Sequence, residues 1–204
     1  MATFVLVHGS WHDGTAWQPT IQHLEGKGHK ACAPTITGHG KGVQKSVNHA
    51  QCTKSIVDYI VNNSLADIVL LGHSFGGTII SKVAETIPER IRRLVFLNAF
   101  VLQDGHSLND EVPKSYVDLF DQIAQASADN TVMLPFTIWR EAFINDADLK
   151  LAQFAYSPTT RKLGHLMVVS HSSCLPFVRS TSRACCENSQ RWPSRSSRPY
   201  CLSP

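Results

Sequence analysis

The 204-residue chain has no hydrophobic run approaching ~20 residues, so no segment is expected to cross a membrane as a helix. Phe4-Val5-Leu6-Val7 is too short for a secretory core and runs straight into His8-Gly9, which leads to the expectation of a cytoplasmic protein. The six cysteines, Cys32, Cys52, Cys174, Cys185, Cys186 and Cys201, show no paired metal-ligand spacing and read as free thiols. Ten histidines include no His-x-x-x-His pair with a carboxylate beside it on a helix. The glycines at Gly72–Gly77 lack the Lys-Ser/Thr ending of a phosphate-binding loop and do not fit G-x-G-x-x-G. Neither a metal nor a cofactor is therefore expected. Charge of one sign is also lacking: the net value is +3, with the basic excess mostly in the C-terminal quarter, which argues against a nucleic-acid surface.

What is present fits a globular domain with a sizeable core, at 43% apolar and 17% charged residues. Residues 3–7 are a β-rich run that starts almost at Met1 and reads as buried on both faces. A turn at His12-Asp13-Gly14 leads into a helix with Trp17, Ile21 and Leu24 on one side, closed by Gly26 and Gly28. Lys30–Ala33 is a short strand stopped by Pro34, and residues 34–42 form a polar loop carrying Gly38-His39-Gly40. A second helix covers about 47–62, with Val47, Ile56, Val57, Tyr59 and Ile60 on its apolar side. Ile68–Leu71 and Leu94–Leu97 are further strands, and a helix lies between them. Short strands alternating with helices predict an α/β fold, a parallel sheet flanked by helices.

The stretch Gly72-His73-Ser74-Phe75-Gly76 fits G-x-S-x-G between the strand and the helix, the context of a nucleophile elbow. Such a turn must hold the Ser74 hydroxyl out from the end of the sheet. Neighbours without a Cβ let strand and helix pass close to each other there. After Phe100, residues 104–155 show helical spacing without strands: one stripe of Tyr116, Phe120 and Ile123, then another of Ile138, Ala142 and Phe143 running on to Leu149, Leu151 and Phe154. These stripes read as core packing in a helical cap over the mouth of the sheet, with a minority of the aromatics lining a cavity.

The first ~156 residues resemble the α/β-hydrolase superfamily, and within it the small branch of plant methylesterases, hydroxynitrile lyases and related bacterial esterases. The resemblance rests on Phe4–Gly14 with Trp17, on Gly38-His39-Gly40, on Gly72–Gly77, and on Leu94–Phe100 leading to Gly105-His106-Ser107. It implies an α/β-hydrolase core over residues 1–103 and a cap over 104–156. It implies Ser74 as nucleophile, with the backbone N–H groups of Ser10 and Phe75 as the oxyanion hole. His8 is expected to brace its loop through hydrogen bonds, His39 to be loop structure, and His73 to pack.

The acid and base of a Ser-Asp-His triad are not where the resemblance puts them. Past the cap there is no Asp, and Glu187 is the only acidic residue among 157–204, a stretch with 11 Ser, 6 Arg, 5 Pro and 4 Cys. This tail reads as largely disordered and foreign to the fold, leaving the fold incomplete at its C-terminus. His165 and His171 are weak candidates for the base, and Asp104 for the acid, its plainer reading being the turn Asp104-Gly105. A sheet short of its last strands would expose an edge, which would favour a homo-oligomer.

The resemblance implies a serine hydrolase of small carboxylic esters, of carboxylesterase type, acting through an acyl-enzyme at Ser74. The alternatives are a catalytically inactive or truncated hydrolase-fold binder and a hydroxynitrile lyase. In the lyases the residue after the first-strand histidine is typically a threonine that contacts substrate, and here it is Gly9.

Overall fold

The computed structural model describes residues 1–157 and the two-residue strand Lys162–Leu163. Expectations placed on the rest of the tail, including Cys174, Cys185, Cys186, Cys201, His165, His171 and Glu187, lie outside the described residues.

Four strands form one parallel sheet in the order β2-β1-β3-β4: β1 is Thr3–Val7, β2 Lys30–Cys32, β3 Ile68–Ser74 and β4 Ile91–Ala99. The central pair is β1 and β3, in register from Thr3 beside Ile68 to Val7 beside Gly72. Alternation along the strands sends Val5, Val7, Ile68 and Leu70 to one face. There they join Ile56, Ile60, Ile79, Ile80 and Val83 in a single buried cluster. Those side chains come from α2 (His49–Asn62) and α3 (Gly76–Thr86), so these two helices cover that face. Helix α2 starts where Asn48 accepts from the Gln51 N–H while the Gln51 side chain accepts from the Asn48 N–H, a reciprocal cap. Helix α1 (Gln18–Gly26) follows a 3-10 turn at Gly14–Trp17 and packs beside β2. Trp17 meets His73 edge to face at 6.3 Å, which puts the start of α1 on the opposite face from α2 and α3. The predicted parallel sheet flanked by helices is thus observed.

Among the described residues β4 is an edge strand. Phe96 is 38% and Leu97 48% exposed on its two faces.

The segment after β4 is mainly helical: α4 (Leu108–Glu111), α5 (Lys114–Ala126), α6 (Phe136–Phe143) and α7 (Leu149–Tyr156). Two expectations need correction. The segment is not free of strands, because β5 (Thr131–Val132) pairs antiparallel with β6 (Lys162–Leu163). The first cap stripe packs as expected, with Phe120 buried and Tyr116 and Ile123 against the core. The second does so only at its start: Ile138 packs against the core, but Phe143, Leu149, Leu151 and Phe154 are half to three-quarters exposed. The Asp148 side chain caps α7 by accepting from the Leu151 N–H, and this start sets the phase of the helix. Its inward face is then Ala152, Ala155 and Tyr156 at i, i+3 and i+4. In α6 the inward residue is Trp139.

Candidate active site

Strand β3 ends on Ser74, and α3 begins two residues later, at Gly76. That reversal forces Ser74 to a φ of +53°, a left-handed conformation uncommon for serine. The glycines on either side are steric requirements. A Cβ on Gly72 would lie 2.6 Å from the Gly76 carbonyl oxygen, and one on Gly76 would lie 2.7 Å from the carbonyl oxygens of both Val7 and His8. Strand β4 bulges beside the turn: His73 faces Leu97 but Ser74 faces Ala99, and the extra residue Asn98 sits at φ +43°. The Phe100 N–H then donates to the Ser74 carbonyl at 3.1 Å.

The residue after the serine is anchored from below. The Thr78 hydroxyl donates to the Phe75 carbonyl at 2.8 Å, so His49 Nε2, 3.0 Å from the same hydroxyl oxygen, acts as donor to it. The buried Phe75 ring stacks on His39 and meets His49 edge to face, both at 5.9 Å. His49 and Thr78 carry a supporting role that pattern reading did not single out. A histidine three positions before the apolar stripe at Cys52, Ile56 and Ile60 was the available signal.

The end of β1 comes up against the same turn. A Cβ on Gly9 would be 2.9 Å from Ser74 Cβ, so the Gly9–Ser10 backbone rests on the serine. Ser10 is buried. Ser74, Phe75 and Ser10, picked from separate motifs, are therefore brought to one place. Asp104 lies exposed in a turn closed by the His106 N–H on the Gln103 carbonyl at 3.1 Å.

His8 braces the loop as expected. The 1% exposed ring lies with Nδ1 2.8 Å from the Gly9 carbonyl, and Nε2 accepts the Ile36 N–H at 3.0 Å. His39 packs edge to face on the His8 ring at 5.1 Å, in keeping with its expected part as loop structure. His12 places Nδ1 3.0 Å from the Ser10 carbonyl. His8, His12 and His73 join Gly9, Trp17 and Leu97 around a cavity of about 260 Å³. Burial lowers the pKa of all three histidines, that of His8 to about 4, and so favours neutral imidazoles. A larger open hollow, about 760 Å³, is lined by cap residues such as Ile123, Met133, Leu134 and Tyr156, and none of the elbow residues reaches it.

The cap is moored to the loop after Ser10. Trp11, at φ +62°, donates from Nε1 to the Val132 carbonyl at 2.9 Å and packs on Phe120 and Phe143 at 5.8 and 5.6 Å. His12 lies 6.2 Å from the Trp139 ring. Phe143 is half-exposed because it lies at this junction rather than in the core.

These histidines make stability depend on pH with a definite sign. A histidine near 6.5 when unfolded and near 4 when folded takes up its proton first in the unfolded chain. The stabilisation from neutral His8 is complete above about 6.5, is lost as pH falls toward 4, and amounts to roughly 3 kcal/mol. The lowered values of His12 and His73 act in the same direction. Urea midpoints should therefore drop steadily across this window. A midpoint that stayed level would contradict the buried neutral ring.

A family model described as the alpha/beta hydrolase family matches residues 4–200. Among solved structures, the chain is similar to an extracellular alpha/beta-hydrolase from a Paenibacillus species, at 40% identity and a TM-score of 0.80 over 84% of this chain and 71% of that one. Among curated proteins it is 42% identical over 118 residues to a carbendazim hydrolyzing esterase from Nocardioides sp. (strain SG-4G), covering 56% of this chain and 49% of the relative. It is 32% identical over 112 residues to salicylic acid-binding protein 2 from Nicotiana tabacum, covering 51% of this chain and 42% of the relative. The chain thus spans about half the length, or less, of the curated relatives it matches. With the family model across nearly the whole chain and the elbow in place, the chain belongs to the alpha/beta hydrolase family.

Proposed function

We propose that this chain is a serine hydrolase of small carboxylic esters. The observation that carries the reading is Ser74, held at φ +53° with the Gly9–Ser10 backbone against it. In this reading Ser74 Oγ attacks the acyl carbon, and the N–H groups of Phe75 and Ser10 receive the developing oxyanion. The alcohol leaves, and water then releases the acid from the acyl-serine. Each oxyanion donor accounts for on the order of 10²–10³ in rate. Relatives named as esterases and hydrolases support the reaction class.

A second reading, a hydrolase-fold binder without turnover, is favoured by how the nearby histidines are engaged. His8 is tied to Gly9 and Ile36, His12 to the Ser10 carbonyl and His49 to Thr78. A serine hydroxyl needs an adjacent proton acceptor to attack at a useful rate. In the hydrolase reading that acceptor is His165 or His171.

A fluorophosphonate probe separates the two. The hydrolase takes one label at Ser74, the Ser74→Ala variant takes none, and p-nitrophenyl acetate turnover disappears with the label. A folded chain that neither labels nor turns over the ester is the binder. Turnover of a cyanohydrin in place of the ester would instead mark a lyase.

A further inference from the structure

The loop after β1 carries a conflict that its sequence resolves. Gly9 is closely packed: a Cβ there would lie 2.9 Å from Ser74 Cβ and 3.0 Å from His73 Nδ1, and the elbow would have to shift to admit it. Glycine, however, leaves the following peptide freer to rotate than any other residue would. That peptide is the one whose N–H belongs to Ser10. Its other end is the Gly9 carbonyl, and in a planar trans unit the C=O and N–H point in opposite directions. Whatever holds the Gly9 oxygen therefore fixes where the Ser10 N–H points.

His8 holds that oxygen. Its Nε2 accepts the Ile36 N–H at 3.0 Å and so carries no proton. The single proton of the neutral ring is then on Nδ1, and it is donated to the Gly9 carbonyl at 2.8 Å. Both ring nitrogens are used, and the ring is 1% exposed. The ring sits edge to face against His39, which limits its rotation.

We infer that His8 is the positioning residue of the oxyanion hole: by clamping the Gly9 carbonyl it aims the Ser10 N–H, with the Ile36 N–H fixing the tautomer that makes the clamp a donor. This rests on the proposed role of Ser10 as an oxyanion donor. Protonating Nε2 would remove the acceptor for Ile36 and release the ring, so the clamp is a property of the neutral form. The charged and titratable groups facing His8 are Asp13, His12 and His73, with the His39 ring in contact.

The full-length chain, labelled with ¹⁵N, tests this by two independent readouts. The first is nuclear magnetic resonance and needs no reactivity. The His8 ring should show the Nδ1–H tautomer, and the Ser10 amide should shift with the His8 titration. In His8→Asn, which keeps a donor at the Nδ1 position and has nothing to titrate, that pH-dependent shift should vanish. This control also separates His8 from His12 and His73. A Ser10 amide that titrates unchanged in His8→Asn, or a ring protonated on Nε2, overturns the proposal.

The second readout is the rate of fluorophosphonate labelling at Ser74. His8→Leu should slow it on the order of a hundredfold, the scale of one lost donor, and His8→Asn should recover much of that loss. Equal rates in the two folded variants overturn the proposal, and if His8→Leu does not fold, the titration of the Ser10 amide in His8→Asn decides it. A parent chain that never labels, yet whose Ser10 amide follows His8, sinks the esterase reading and leaves the clamp standing.

Discussion

Gly76→Ala is expected to lower stability by about 3 kcal/mol or more, the upper end of the overpacking range. The new methyl would sit 2.7 Å from two backbone oxygens, those of Val7 and His8. No rotamer change relieves a clash with main chain, so β1 and α3 would have to separate. That separation opens the cluster of Val5, Val7, Ile79 and Ile80, all buried. A loss of this size is a large part of a stability of roughly 5–15 kcal/mol. Gly26→Ala is the matched control. Gly26 is the last residue of α1 with nothing within 4 Å of its would-be Cβ, and alanine there should be neutral or stabilising by up to about 1 kcal/mol. Urea denaturation of both variants gives the comparison. Equal midpoints would mean that the close approach of β1 and α3 is not what the glycine serves.

Trp11→Ala is expected to release the cap. The indole is 6% exposed, packs on Phe120 and Phe143, and makes the hydrogen bond to Val132 across a separation of 121 residues. Large aromatic deletions of this kind cost about 3–5 kcal/mol. The backbone at φ +62° strains alanine much as it strains tryptophan, so the substitution isolates the ring. The loss should be local first. Amide exchange in α5 and α6 should accelerate by two or more orders of magnitude, at about 1.4 kcal/mol per tenfold, while β1 and β3 keep their protection. Trp11→Phe retains the ring contacts and loses the Val132 bond, a cost of about 1 kcal/mol. Uniform loss of protection across sheet and cap would show instead that the two unfold together.

The parts of the fold that were legible are those whose cause is local. Gly72 and Gly76 bracket a serine that must turn within one residue, and that steric demand is written in five adjacent letters. The α2 face at Ile56 and Ile60 is long enough for its period to show. Cap phase was not legible. Helices of eight residues offer barely two turns, and apolar side chains occur all around α6 and α7. What decides their orientation is the Asp148 cap and the distant Trp11, which no short window contains. Strands of two residues, such as β5 and β6, are shorter than any alternation that could announce them. In the site, Ser74, Phe75 and Ser10 follow from motifs. The commitment of His8 to Ile36 was hidden because Ile36 lies in a loop that composition alone marks as polar, yet it is fully buried.

The ladder between Thr131–Val132 and Lys162–Leu163 gives the cap an unusual degree of independence. It fastens together the two ends of the stretch that holds α6 and α7, so the entropy of closing that stretch is met by the ladder rather than by the helices inside it. The outer surface of those helices can then change while Thr131–Val132 and Lys162–Leu163 stay paired. Within that fastened stretch, α6 answers to the loop after β1 through Phe143 on Trp11 and Trp139 beside His12, whereas the outward residues of α7, Leu149, Leu151 and Phe154, can vary without disturbing β3 or the elbow. In evolutionary terms the ladder leaves the outer face of α7 free to drift, while α5 and α6 are held to the loop after β1 by Trp11.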